Sequence, residues 1–412
     1  MLEKRVPQRR RDAASLTVSE SVGHAAVEAL VPEWEALHLA SGAPIFRSPD
    51  WLVPWTRRIA PQLEPRLVCV RDAAGTLVGL LPLGAETVRP FGRRVRRLTL
   101  LGDTHVGSDF LDVLARPADA AAVARVVGLH LRDTVAGWDV LDLPDLEQGS
   151  GTPGRLREAL GEADFSWEQT PRFTCPWTPL EPQGDFDGFL AKTARRDNFR
   201  RRLRWFERQP GFRVEVTREP DGLEPAASAF FMLHRMRWAA DGGSQGIRGA
   251  GVEAFHREVM ARMARRGWLR LSTLWLDDTP LASVYGIAQG GSFVFYQSGY
   301  DPSWKARSPG LVLLGLTFRD AFAEGLKTYE FLRGTETYKA DWARQTRQTL
   351  SLRVIHRHGP GAWLSRSEAT SARFRAHARR LLPGAVVEAV RRRRRRASAI
   401  DEVAPAHPGG GG

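Results

Sequence analysis

The sequence predicts an α/β (α+β) fold of two similar halves in tandem, each a mixed, largely antiparallel sheet flanked by helices. Three observations predict it. Short alternating runs of strand-forming residues come in sets of three, separated by tight-turn residues. Apolar positions at helical spacing flank each set. The same order of elements recurs after roughly 170 residues, too long a period for a solenoid and suited to a duplicated domain. A chain of 412 residues is comfortable for two domains, and 42% hydrophobic residues suffices to build their cores.

In the first half, Leu16–Glu20 reads as a strand and Val31–Leu39 and Pro49–Ile59 as short helices. Ser48 is placed to cap the second helix, with Pro49 at its first position. Arg66–Arg71, Leu77–Leu83 and Val95–Leu101 form a meander. The loop GDTHVGSDF leads to a helix over Ala118–Arg132 and a strand over Trp138–Leu143. Sequence rich in proline, glycine and acids around Pro179–Asp187 marks a boundary. The expected division is a basic, disordered N-terminus (1–15), a first domain (16–180), a second (186–357) and a basic helical or disordered tail (363–412).

The second half opens with KTARRDNFRRRLRWFER (Lys192–Arg208), eight basic residues against two acids. Phe199, Leu203 and Phe206 make one apolar stripe on a basic helix, whose charged remainder reads either as a solvated face or as a phosphate clamp. A strand (Phe212–Thr217) and two helices (Glu224–Ala240, Val252–Arg266) follow. A meander then runs over Trp268–Leu276, Leu281–Gln289 and Ser292–Ser298. The loop GYDPSWKARSPG feeds a helix from Leu311 to about Glu324, with Gly325 just past its end, and then a strand, Thr328–Leu332. A helix N-terminus beside the third meander strand offers amides and a positive dipole end to a pyrophosphate.

The net charge of +13 belongs mainly to the ends. Residues 1–12 contribute +3, residues 363–396 contribute +9 and residues 397–412 contribute −2, which leaves +3 for residues 13–362. The run Arg391–Arg396 suits a solvated tail, an anionic membrane surface or, less well, nucleic acid. Two cysteines, Cys69 and Cys175, make no disulfide framework. No apolar stretch of about 18 residues occurs, and the charged start lacks an apolar run. The expectation is a cytoplasmic protein, peripheral to the inner membrane face if the arginine tail engages lipid. His105, His234 and His256 show no ligand spacing, so no catalytic metal is expected.

The order strand, two helices, meander, loop, helix and strand resembles the GNAT acyltransferase fold. Within it, Leu233, His234, Arg237 and Trp238, then Gly299-Tyr300-Asp301 with Ser308-Pro309-Gly310, and finally FLRGTETYK (Phe331–Lys339) resemble the acetyltransferase domain of CelD/BcsL-type proteins. Those proteins are related to the FemAB peptidoglycan aminoacyl transferases, which also pair two GNAT-like halves. The resemblance spans roughly Phe186–Lys339. It implies acetyl-CoA or another acyl-CoA as co-substrate and direct attack by an amine or hydroxyl acceptor, with no covalent enzyme intermediate. The donor is expected at the amides following Ser308, Pro309 and Gly310, Leu311 included, with Arg307 beside them. The usual GNAT loop is Gln/Arg-x-x-Gly-x-Gly/Ala; here Val312 holds the last position and is expected to narrow the phosphate site.

Asp301 and Glu336 are the candidate bases, Lys339 the expected partner of Glu336 three residues on, and Tyr338 the candidate acid for the leaving thiolate. Asp301 before Pro302 also reads as a turn initiator. Arg237, Trp238, Tyr300, Trp304 and Arg333 are the expected substrate contacts, Trp304 toward a sugar or lipid. The first half, with Gly102-Asp103-Thr104-His105 in place of an Arg-x-x-Gly loop, is expected to hold no donor. Two alternatives stand beside acyl-CoA transfer. One is aminoacyl-tRNA-dependent transfer to a lipid-linked peptidoglycan precursor; the other is a non-catalytic membrane- or partner-binding module.

Overall fold

The structure, a computed structural model, describes residues 16–103, 106–133, 137–239, 247, 249–368 and 370. His105, the basic N-terminus and the Arg391–Arg396 run lie outside the described residues. The first half consists of β1 (Thr17–Val22), α1 (His24–Ser41), α2 (Pro49–Arg58), β2 (Glu64–Arg71), β3 (Leu77–Val88), β4 (Val95–Leu100), β5 (Leu114–Ala115), α3 (Ala120–Asp133), β6 (Val140–Glu147), α4 (Thr152–Leu160) and β7 (Phe165–Pro179). After it come α5 (Phe186–Ala191), α6 (Arg196–Glu207), β8 (Phe212–Thr217), α7 (Leu223–Ala239), α8 (Ala250–Arg265), β9 (Leu269–Leu276), β10 (Thr279–Gln289), β11 (Ser292–Tyr300), α9 (Pro309–Ala323), β12 (Thr328–Glu330), α10 (Thr337–Trp342) and β13 (Gln345–His356). Local chemistry fixes several ends. Ser48 caps α2 by accepting from the Trp51 amide, and Pro49 occupies its first turn.

All strands join one mixed sheet, in the order β1-β2-β3-β4-β6-β13-β7-β12-β11-β10-β9-β8, with β5 beside β3. Only β4–β6 and β11–β12 pair in parallel among the named strands. The strand order crosses the expected boundary between the two halves. β7, the last strand before the boundary, pairs with β12 of the second half, while β13, the last strand of the chain, pairs with β6 of the first. The two exchanged strands run antiparallel to each other from Gln345 opposite Trp177 to His356 opposite Phe165. Each half thus completes the other's sheet.

The core follows the same logic. One buried cluster passes through both halves and includes Trp34, Trp51, Leu81, Phe230, Phe255 and Tyr285. Trp51 meets Phe46, Phe255 and Tyr296 edge-on, with ring centroids 4.9, 5.2 and 5.3 Å away. A second cluster lies beneath α9 and joins Phe189, Phe199, Phe206, Phe318, Tyr329 and Trp342. Phe199 and Phe206 of the basic helix are buried there as the apolar stripe requires, and Leu203 packs against them.

A buried ion cluster closes the seam between the halves. Arg333, just past β12, donates from its amide and Nε to Asp109 of the first half at 2.8 and 2.6 Å, and from a terminal nitrogen to the Ser108 carbonyl at 2.6 Å. Asp145 approaches the same guanidinium at 3.1 Å and Arg172 at 3.3 Å. Both carboxylates are fully buried, and their charge holds the Arg333 guanidinium firmly protonated. Phe110, Asp145 and Leu332, in or beside this cluster, adopt left-handed backbone angles of 59°, 58° and 57°. The expected substrate contact Arg333 is therefore a clamp between halves, because two buried anions outcompete an open cleft for its charge.

Removing one partner leaves the others buried and unpaired, so Asp109→Ala is expected to cost about 3–5 kcal/mol in urea unfolding; a loss below about 1 kcal/mol would show that the seam does not need this pair. Burial pushes the Asp145 carboxyl from the ordinary 3.8 up to about 6 despite Arg333 and Arg172. The folded state thus binds the extra proton, and stability contributed by protonated Asp145 falls as pH rises through that window. Asp145→Asn is expected to flatten the stability profile between those two pH values, and an unchanged slope would place the titration elsewhere.

Candidate active site

The cavity arises where two strands part. β11 and β12 pair only from Ser292–Val294 to Thr328–Glu330, and β12 then ends. Against β10 the register slips, with Tyr285 opposite Gln297 but Gly286 opposite Phe295, so Tyr296 is an extra, bulged residue. The bulge turns β11 just past its last pair with β12, and β11 continues alone on that side to Tyr300. Tyr296 is buried and donates its hydroxyl to the Val106 carbonyl of the first half. The resulting cavity measures about 440 Å³. Phe295, Leu313, Leu314 and Trp342 supply its apolar floor, and Arg195, Asn198, Arg237, Ser298, Lys305, Tyr338 and Asp341 its polar lining.

Arg237, at the end of α7, is held by a hydrogen bond of 2.7 Å to the Ser298 hydroxyl and lies over the rings of Trp238, Tyr300 and Tyr338 at 4.8, 5.6 and 5.9 Å. Arg237, Tyr300 and Tyr338 line the cavity; Trp238 stands behind Arg237 outside the lining. Burial raises the Tyr338 phenol to about 12, opposed by the charge and hydrogen bond of Arg237, so it stays protonated at neutral pH. Gly299 is required by packing, since a Cβ there would strike the backbone of Leu233 and His234 on α7.

Ser308, Pro309, Gly310 and Leu311 form the cavity's rim at the start of α9. Here the expected nest of free amides is reduced. The Leu311 and Val312 amides both donate to the Ser308 carbonyl, at 3.1 and 3.2 Å, and Pro309 has none. A Cβ on Gly310 would find Tyr300 only at 3.7 Å, so the rim is open at that residue. Val312, in the first turn of α9, is fully buried and does not narrow the cavity, contrary to expectation. Arg307 also departs from its expected place: its guanidinium lies 4.1 Å above Trp205 of α6, outside the cavity.

Three expected catalytic groups lie elsewhere. Asp301 accepts from the Ser303 amide and hydroxyl at 2.9 and 2.7 Å, which makes it the cap of the following turn. Glu336 and Lys339 form the anticipated pair at 3.0 Å, and the Lys339 ammonium also donates to the Arg333 carbonyl at 2.6 Å. That contact draws Lys339, 4% exposed, toward the seam and away from the cavity. Trp304 packs toward Trp205, ring centroids 6.4 Å apart, and is not part of the lining.

The cavity instead holds a carboxylate that sequence reasoning missed. Asp341, one turn after Tyr338 on α10, is the sole acid among the lining residues and pairs with Arg195 at 2.6 Å. The three-residue step from Tyr338 puts both on one helix face, a signal present in the sequence. Both cysteines are fully buried, and burial pushes their thiols up, which makes neither a ready nucleophile. Cys175 rides on the exchanged strand β7 and so lies in the second half's sheet. Burial lowers His234 to about 4 and His256 to about 3, so both imidazoles are neutral. No cluster of three potential metal ligands occurs among the described residues.

Residues 193–340, about a third of the chain, match the family model described as an acetyltransferase (GNAT) domain. Solved structures extend the likeness over both halves. FemX superposes with a TM-score of 0.56 at 12% identity, covering 78% of this chain and 95% of its own. The C-terminal domain of a putative lysylphosphatidylglycerol synthetase from Agrobacterium fabrum gives 0.53 at 10% identity, over 84% of this chain and 96% of that one. L-PGS from Bacillus licheniformis gives 0.51 at 12% identity, over 80% and 92%. At such identities the likeness is one of fold: a GNAT-like mixed sheet flanked by helices. No curated protein sequence matches the chain.

Proposed function

We propose that the chain is an acyltransferase of the CelD/BcsL kind, passing an acetyl or other acyl group from acyl-CoA directly to an amine or hydroxyl. The acceptor would belong to cell-envelope polysaccharide or small-molecule synthesis. The observation that carries this reading is the cavity at the β11–β12 parting, lined by the Asp341 carboxylate and the protonated Tyr338 phenol and rimmed by the start of α9. The acceptor enters toward Asp341, which takes its proton as the nitrogen or oxygen attacks the thioester carbon. Arg237 faces the negative charge that develops on the carbonyl oxygen. As the tetrahedral intermediate collapses, the carbon–sulfur bond breaks, and the Tyr338 phenol donates to the departing thiolate. The phenolate left behind is stabilised by Arg237 until solvent returns the proton. Glu336 and Lys339 hold the segment that carries Tyr338.

Aminoacyl-tRNA-dependent transfer is the second reading, and the reduced set of amides at the start of α9 favours it over coenzyme A. No helix among the described residues is long and apolar enough to cross a membrane, and contact with an anionic membrane is proposed for the C-terminal arginine run alone.

Tyr338→Phe and Asp341→Asn are each expected to lower turnover by about 10²-fold or more while donor affinity stays nearly constant. Glu336→Gln should leave turnover nearly unchanged; a loss as large as that of Asp341→Asn would return Glu336 to the reacting atoms. Calorimetric titration with acetyl-CoA should show one-to-one binding that Gly310→Trp weakens, by blocking the acyl arm at the cavity rim, without altering the circular dichroism spectrum. Normal donor binding by Gly310→Trp would move the donor away from α9, and no binding by the parent chain would favour the aminoacyl-tRNA reading.

A further inference from the structure

A second concavity of about 360 Å³ lies on α6 and is lined by Arg201, Arg202, Arg204, Arg208, Arg307 and Trp205. Five of its six lining residues are cations, and no carboxylate is among them. None of the five guanidiniums has an ion-pair partner among the described residues, whereas nearby Arg195, Arg200 and Arg270 pair with Asp341, Asp187 and Glu324. Arg201, Arg204 and Arg208 share one face of α6 at steps of three and four residues, opposite the buried Phe199 and Phe206. A merely solvated helix face explains those three. It does not explain Arg307, which arrives from the segment between β11 and α9 and places its guanidinium 4.1 Å over the Trp205 ring.

The concavity adjoins the acyl cavity through two elements. Asn198 lines the cavity while its side-chain amide oxygen accepts from Arg201 and Arg202 at 3.2 and 3.4 Å. Lys305 lines the cavity two residues before Arg307. Converging like charges repel one another, and an anion among them relieves that cost. Guanidinium forks match phosphate oxygens in pairs, and an indole stacked with a guanidinium offers a planar surface to a nucleobase.

We propose that this arginine groove binds the phosphates of a nucleotide belonging to the group donor, with Trp205 and Arg307 as the platform for its base. The anion site thus sits on α6 and not at the amides of α9. The inference rests on the acyl-transfer proposal only for the word donor; the nucleotide chemistry is common to coenzyme A and to the end of an RNA chain.

The test uses the full chain and full-length Arg204→Glu/Arg208→Glu, so that the C-terminal arginine run contributes equally to both. Each is titrated at about 150 mM salt with ADP, with coenzyme A, with a single-stranded RNA ending in CCA, and with phosphatidylglycerol vesicles. Affinity for ADP and for at least one of the two nucleotide donors is expected to fall tenfold or more in the variant, with an unchanged thermal unfolding midpoint. Groove-dependent binding of coenzyme A alone, or of RNA alone, supports the proposal and identifies the source. Equal nucleotide affinity in the two proteins, or groove-dependent binding of vesicles only, overturns it. Gly310→Trp is expected to keep ADP binding, so a chain that binds nucleotide in the groove yet transfers no acyl group would count against the proposed activity and leave the groove standing.

Discussion

Reciprocal exchange of β7 and β13 is the constraint on which the rest of the molecule depends. β12 is three residues long and could not stand as an edge; it exists between β11 on one side and β7 on the other. The wall of the cavity is therefore built on a strand contributed from before the apparent boundary. The same exchange buries the seam, and a buried seam carrying Arg333 must supply it with anions. Asp109 and Asp145 do so, and the left-handed residues beside them show the backbone bent to bring the three together.

From that frame the cavity follows by subtraction. A parallel pair that stops after three residues, next to a strand with one extra residue, leaves a wedge that no main-chain partner fills. Helices close it: α9 along one side, α10 along the other, with α7 supplying Arg237. Because α10 begins four residues beyond Arg333, the clamp at the seam also sets where Tyr338 and Asp341 stand. Lys339 ties the two together through the Arg333 carbonyl, which explains why a lysine beside the candidate acid is buried in structure and not offered to substrate.

Much of this was legible in the sequence, and the failures share a cause. β8, α7, α8, the second meander and α9 were placed to within about two residues, since their apolar periods are local. β7 and β13 were not named as strands. Their alternation is visible in part, as at Leu350, Leu352 and Val354, but β7 carries prolines and its partners lie far along the chain. At the site, Tyr338, Tyr300, Arg237 and the start of α9 were anticipated, and all line the cavity. Asp301, Glu336, Lys339, Arg307 and Arg333 were chosen by type and motif, but each has a partner that turns it away. Sequence shows which residues carry charge; it does not show which of them another buried charge has already claimed.

The two halves differ at the corresponding position. After β4, at the point in chain order where the second half places its rim, the first half holds a segment in which Val106, Ser108 and Asp109 bind toward the seam. Val106 accepts from Tyr296, Ser108 from Trp51 and Arg333, and Asp109 binds Arg333. The corresponding parting between β4 and β6 is a polar recess in which Arg97 and Arg353 meet Asp142. Its charges pair with one another, whereas the five arginines of the α6 groove have no ion-pair partner among the described residues. One copy of the fold has committed loop groups and ions to holding the other in place, while the second copy keeps the acyl cavity and the groove of arginines without ion-pair partners among the described residues.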